Sequence, residues 1–210
     1  MATFFAKISP NFSPPDENGN IDTETFLKAG KQIVPIFDVL GTAFMPVKSD
    51  VEGNITRLSK KYNSDQEKFH FLKAILEDEL ERKCAQDKYS STQALLWFKR
   101  TLEYITLFLQ ILIEDHKSGT KTENMGPFIR RAYDETLKKY HGWLVQKVFS
   151  VVSRAAPWRK DFLKALAGGQ DDFEDEVISD MEQYIRQVRV TIASVHNMLT
   201  ELDLDFQDKV

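Results

Sequence analysis

Asp50, Asn54, Arg57 and Lys61 are the residues whose types and spacing most suggest chemistry. They follow one another at steps of four, three and four, so a helix over this stretch carries them in one stripe. A carboxylate, an amide and two cations in a row can hold a ligand rich in hydroxyls or form a solvated salt-bridge ladder, and spacing leaves both readings open. The apolar stripe of the same segment is Val47, Val51, Ile55, Leu58 and Tyr62, centred about 90° away around the helix. Asp50 and Asn54 therefore emerge at the edge of the core. His141 falls in line with Leu137, Leu144 and Val148, which predicts an inward ring that needs a hydrogen-bond partner. Trp97 sits between Leu95-Leu96 and Phe98-Lys99-Arg100, as core or as a stacking platform.

Other chemistries find little support. His70, His116, His141 and His196 never fall within a helical turn of one another, and no H-E-x-x-H, Walker, G-x-G-x-x-G or G-x-S-x-G pattern occurs. Neither a metal nor a cofactor is expected, and a non-enzymatic role is preferred. With 28 Lys plus Arg against 32 Asp plus Glu, the net charge of −4 gives no electrostatic footprint for nucleic acid. Cys84 is the single cysteine, so no intramolecular disulfide forms, and a reducing, cytosolic setting is expected.

The elements that must position these residues are helices. Apolar residues recur with a 3.6-residue period from about residue 23 to 204, and strand-like alternation is nowhere sustained. Residues 1–20 read as a loose lead-in. Asp22 is placed to cap a first helix bent at Pro35 and ended at Gly41, and a second starts near Pro46. Ser64-Asp65-Gln66-Glu67 reads as a capping box that opens a third helix through Leu80. Thr92 to His116 predicts a long central helix. Its most apolar part, Tyr104 to Ile113, is too short for a bilayer span. Ile129, Tyr133, Leu137, His141, Leu144, Val148 and Val152 predict one further helix after Pro127, loosened at Gly142. Past Pro157 come a short helix through Phe162 and a long last one whose stripe runs from Ile178 to Leu202. The fold class is all-α.

Four blocks, in order along the chain, resemble the glycolipid transfer protein family. They are Pro46-Val-Lys-Ser-Asp50-Val-Glu-Gly-Asn54-Ile-Thr, Leu96-Trp97-Phe-Lys-Arg, Lys138-Lys-Tyr-His141-Gly-Trp143-Leu-Val-Gln-Lys147 and Ala155-Ala-Pro157-Trp-Arg-Lys-Asp161-Phe-Leu-Lys-Ala-Leu. The resemblance implies a two-layer α-helical sandwich with a central apolar lipid tunnel, formed by residues 21–210 as one domain. It implies a carrier that takes a glycosphingolipid from one membrane to another, with Asp50, Asn54, Arg57 and Trp97 at the sugar and His141 with Asp50 at the ceramide amide. Candidate tunnel residues are Phe37, Phe44, Val47, Phe108, Leu112, Leu137, Val148, Phe149 and Phe162.

Three positions depart from the family pattern: Arg57 replaces a usual Lys, Gln93 an aliphatic residue, and Asp208 a Tyr near the C-terminus. A related branch carries ceramide 1-phosphate and has cations where this chain has Asn54 and Trp97, so a neutral sugar fits better here. A lipid sensor acting through a protein partner shares the same site and remains the alternative. Transient membrane contact by a monomer is expected through Trp143 and Trp158 with Lys147, Arg154, Arg159, Lys160 and Lys164 around Pro157. Pro35-Ile-Phe37-Asp-Val-Leu-Gly41 is similar to the short Phe-containing motif by which some lipid carriers dock on endoplasmic-reticulum receptors.

Overall fold

Helices make up the computed structural model, which describes residues 2–210; among these residues no strand forms. The helices are α1 (Thr23–Ile33), α2 (Ile36–Leu40), α3 (Met45–Ser64), α4 (Leu72–Glu81), α5 (Ser91–Lys117), α6 (Gly126–Glu135), α7 (Trp143–Val152), α8 (Arg159–Leu166) and α9 (Glu174–Glu201). The central helix expected from Thr92 to His116 is α5, which packs against α3, α4, α6 and α9. Its apolar residues are buried on nearly every side, as an all-round hydrophobic helix requires. The α9 stripe seats on this core, with Ile178, Met181, Ile185, Val188, Val195 and Leu199 all buried.

Burying the start of α5 would strand its first N–H groups. Glu79, itself buried on α4, accepts hydrogen bonds from the backbone N–H of Ser91 (2.8 Å) and Thr92 (2.7 Å) and from the Thr92 hydroxyl (2.7 Å). Ser90 Oγ accepts from the Gln93 N–H. A neighbouring helix and an N-cap serine thus divide the work of capping.

Three local expectations change. Residues 2–20 are not a loose lead-in: Phe5, Ile8 and Phe12 are buried, Phe5 lies 5.2 Å from the Tyr184 ring, and Phe12 lies 5.6 Å from Phe26. The apolar core is continuous from Phe5 to Leu204, because these side chains cover surface that α1 and α9 would otherwise expose. The box at residues 64–67 does not open a helix. Asp65 accepts from the Lys68 N–H, but the turn ends there and α4 starts at Leu72 after an extended Phe71. The single helix expected after Pro127 is instead α6, a 3-10 turn at Lys138–Tyr140 and α7, with His141 in extended backbone between them.

That break changes which side chains face inward. Phe149 of α7 is buried, whereas Val148 is 54% exposed and Leu144 60%, so Val148 is not an interior lining residue. α7 restarts with its own phase at Trp143, and the stripe drawn through Leu137 does not continue onto it. Phe37, Phe44, Phe108, Leu112, Leu137, Phe149 and Phe162 are buried, and Val47 is half-buried. They close the interior by mutual packing, with Phe108 and Phe162 edge-to-face at 5.8 Å and Phe149 edge-to-face on Tyr104 at 5.8 Å.

The Glu79 cap gives a stability prediction. Glu79→Ala leaves two buried N–H groups and a hydroxyl unpaired, at a cost of about 3 kcal/mol. Urea unfolding should show that loss; a change within about 0.5 kcal/mol, the scale of neutral surface substitutions, would mean the carboxylate does not hold α5.

Candidate functional site

The polar stripe on α3 forms as the spacing predicts, but its members divide. Asn54 is fully buried, and its amide donates to Asp50 Oδ2 at 3.2 Å while its carbonyl accepts from Arg57 Nη2. Arg57 Nη1 also donates to the Lys88 carbonyl at 3.1 Å, tying α3 to the loop before α5. A planar guanidinium can serve two acceptors in this way. The Asp50 carboxyl is pushed above its ordinary range by desolvation, with Arg57 and the Asn54 hydrogen bond pulling the other way. Lys61 leaves the group: it pairs with buried Asp78, which Lys68 and Arg82 also contact. Those cations hold Asp78 down at about 2, and Lys61 serves the α3–α4 junction.

A second cluster gathers around Trp97 on α5. The His141 ring stacks on the half-buried Trp97 with centroids 5.4 Å apart and planes 7° apart. Tyr133 Oη and His141 Nδ1 lie 3.0 Å apart, within hydrogen-bond range. Burial and the nearby Arg100 charge lower the affinity of His141 for a second proton, which favours the neutral ring. Arg100, 2% exposed, lies 3.5 Å above the Tyr140 ring and 5.0 Å from the Trp97 ring. The backbone beside His141 is fixed as well: Val210 N–H donates to the Tyr140 carbonyl, Gly142 N–H to the Val210 carbonyl, and Gln146 Nε2 to the His141 carbonyl. A Cβ at position 142 would sit 3.2 Å from the Val210 oxygen, so a larger residue there would push the tail outward by a few tenths of an ångström.

The two clusters stand on packed helices, α3 and α5. Among the described residues no hydrogen bond or ion pair joins Asp50 to His141. Tyr133, Tyr140 and Arg100 are the members that sequence reasoning missed. Tyr133 shares a stripe with His141, but eight residues of continuous helix would set them about 12 Å apart; only the break after α6 brings them together. Arg100 carried a weak signal, three residues from Trp97. Gln93 is half-buried on α5, and Asp208 is exposed.

On the opposite side of α7 lies a second feature. Trp143 is 70% exposed and Trp158 57%, with Leu144, Val148 and Val151 also exposed; Lys147 sits 4.8 Å over the Trp143 ring, and Arg154 is exposed. Two of the expected cations do not belong to it as free charges. Arg159 is buried, paired with Glu174 and 2.9 Å from His116, and Lys164 pairs with Asp171. The segment at Pro35–Gly41 is also not presented for docking, because Ile36, Phe37 and Leu40 are buried in and around α2.

An all-helical sandwich with this polar cluster above a close-packed apolar interior defines a lipid-carrier class. The Glycolipid transfer protein (GLTP) family model matches residues 21–168, and the chain belongs to that family. It is 38% identical over 192 residues to the Glycolipid transfer protein of Danio rerio, covering 90% of this chain and 92% of that one. It is 36% identical over 204 residues to the Xenopus tropicalis protein of the same name, covering 96% and 98%. A solved structure described as "How FAPP2 Selects Simple Glycosphingolipids Using the GLTP-fold" superposes with a TM-score of 0.88 at 34% identity, covering 99% of this chain and 100% of that one. The mouse ceramide-1-phosphate transfer protein has the same fold at a TM-score of 0.86 and 19% identity, covering 99% and 100%. The two-layer all-α fold read from the sequence is the fold of this family. Among the described residues no helix is long and apolar enough to cross a membrane.

The lowered proton affinity of His141 is measurable. Histidine titration by NMR should place its midpoint below the ordinary value of 6.5, so that at pH 6.5 less than half of it is charged. A midpoint at or above 6.5 would overturn the assignment.

Proposed function

We propose that this chain carries a glycosphingolipid between membranes without changing it covalently. The observation that carries the reading is the parallel stack of His141 on Trp97 of α5, together with the Asp50-Asn54-Arg57 chain on the packed helix α3, in a member of the glycolipid transfer protein family. The C–H face of a pyranose packs on the Trp97 indole. Asp50, exposed on α3, meets the sugar hydroxyls as an acceptor, buried Asn54 one helical turn away orients it, and Arg57 adds a forked donor. His141 donates to the ceramide carbonyl while Asp50 accepts from its N–H, so the polar centre of the lipid is paired at the mouth of the apolar interior. The hydrocarbon chains enter among Phe37, Phe44, Val47, Phe108, Leu112, Leu137, Phe149 and Phe162, which must part to admit them.

Energetics favour a carrier. About 25 methylenes exposed to water during spontaneous escape would cost about 20 kcal/mol as an upper bound, and an apolar sleeve removes most of that barrier. Binding and release need no bond chemistry, so the reading is of a carrier rather than an enzyme. A phosphate headgroup fits less well, because Asn54 and Trp97 bring no charge to replace its hydration, and relatives named for ceramide 1-phosphate match at about 20% identity against 36–38% for those named for glycolipid. Asp50→Val and Trp97→Ala should each cut transfer of a fluorescent galactosylceramide between vesicles at least tenfold while the helical circular dichroism is kept. Unmodified protein should move that lipid in preference to ceramide 1-phosphate of equal chain length. Full activity in both folded variants, or the reverse lipid preference, would sink the reading.

Membrane contact is assigned to the exposed face of α7 with Trp158. Its support is the row of Trp143, Leu144, Val148 and Val151 beside Lys147 and Arg154, the composition of an interfacial patch. The same reading places the protein in the cytosol as a monomer that touches membranes transiently. Trp143→Ala and Trp158→Ala should weaken partitioning onto vesicles by several-fold and leave binding of a soluble short-chain glycolipid within about twofold. Unchanged partitioning in both would put the docking face elsewhere.

A further inference from the structure

A neutral imidazole has one N–H and one bare nitrogen, and a ring that must donate to a carbonyl needs its proton on the side facing that carbonyl. Nothing in the α3 chain controls this, since no hydrogen bond from it reaches His141 among the described residues. Among the described residues the only side chain within bonding range of either ring nitrogen is Tyr133, whose Oη lies 3.0 Å from Nδ1. Tyr133 is buried on α6, and its ring is gripped on the far side by Phe149, with centroids 3.8 Å apart and planes 10° apart. The hydroxyl cannot easily turn away, and among the described residues it has no other partner.

We propose that Tyr133 is the positioning residue that fixes His141 as its Nε2–H tautomer, and so makes it a donor toward the ceramide carbonyl. The logic is a count of protons. If Nδ1 carried the hydrogen, it would donate to Oη, and the tyrosine proton would be left buried with no acceptor, a costly state. If Oη donates to Nδ1, both groups are satisfied and the imidazole proton lies on Nε2. Burial pushes the Tyr133 phenol up to about 12, so the hydroxyl keeps the proton it must give. The Trp97 stack holds the ring plane, and Tyr133 sets which edge donates.

The inference rests on the amide role proposed for His141, and the experiment separates the two. In ligand-free protein labelled with 15N-histidine, long-range proton–nitrogen correlation should show the His141 Nδ1 shift of an unprotonated nitrogen and the Nε2 shift of a protonated one. Tyr133→Phe retains the ring and its stack on Phe149, and should convert these shifts to the averaged pattern of a tautomer mixture. It should also weaken binding of a fluorescent galactosylceramide fivefold to tenfold, and in a His141→Leu background the same change should weaken it no further. A protonated Nδ1 in the unmodified protein, or nitrogen shifts untouched by Tyr133→Phe, overturns the proposal. So does an equal loss from Tyr133→Phe with and without His141, which would mark a packing role. If His141→Leu alone binds as tightly as the unmodified protein, the amide reading fails, and the nitrogen shifts still decide the tautomer.

Discussion

The structure depends on one buried cation. Arg100 lies on a helix surrounded by other helices, and a guanidinium at 2% exposure must be satisfied where it stands. It spreads over the Tyr140 ring, donates to the Phe206 carbonyl and lies 3.9 Å from the Asp205 carboxylate, its buried Nε lacking a partner among the described residues, and so ties the turn before His141 to the C-terminal tail. The tail then closes on that turn through the Val210 bonds with Tyr140 and Gly142. His141 is thereby held in extended backbone between two helices and flat against Trp97. Burial first, and the same positive charge second, lower the affinity of the imidazole for a second proton.

The break after α6 separates two duties that one continuous helix could not perform. A single helix from residue 127 to 152 would present Tyr133, His141 and Phe149 at different heights. Interrupted, the chain brings all three rings into contact and turns the outer side of α7 to solvent with Trp143, Leu144, Val148 and Val151 exposed. The inner side of the proposed docking element is therefore in direct contact with the tyrosine that holds His141.

That interior is filled by its own side chains, which suits a carrier that must exist both empty and loaded. Close packing of Phe108 on Phe162 and of Phe149 on Tyr104 removes apolar surface from water when no lipid is held. The headgroup side behaves differently. Asp50, Asn54 and Arg57 are joined in one hydrogen-bonded chain, so the proposed sugar site is organised in advance. Arg57 reaches on to the Lys88 carbonyl, so that its two terminal nitrogens hold two separate acceptors in the fork geometry of a guanidinium.

The sequence by itself determined the all-α class, the long central and final helices, and the alignment of Asp50, Asn54 and Arg57 along α3, because 3.6-residue periodicity and i,i+4 spacing are local properties. It also placed Gly41 at a real helix end, while Pro35, expected to bend one helix, separates two. The burial of Phe5 and Phe12 was not legible, since nothing local tells an apolar residue in a proline-rich lead-in that distant α9 and α1 have surface to cover. Nor was the fate of Lys61, drawn from the polar stripe by Asp78 on the next helix, or of Arg159, withdrawn from the surface by Glu174 and His116. Only tertiary structure decided that His141 meets Tyr133 and Trp97. Their contact exists because Arg100 and the C-terminal tail hold open a break that helical periodicity alone would have run straight through.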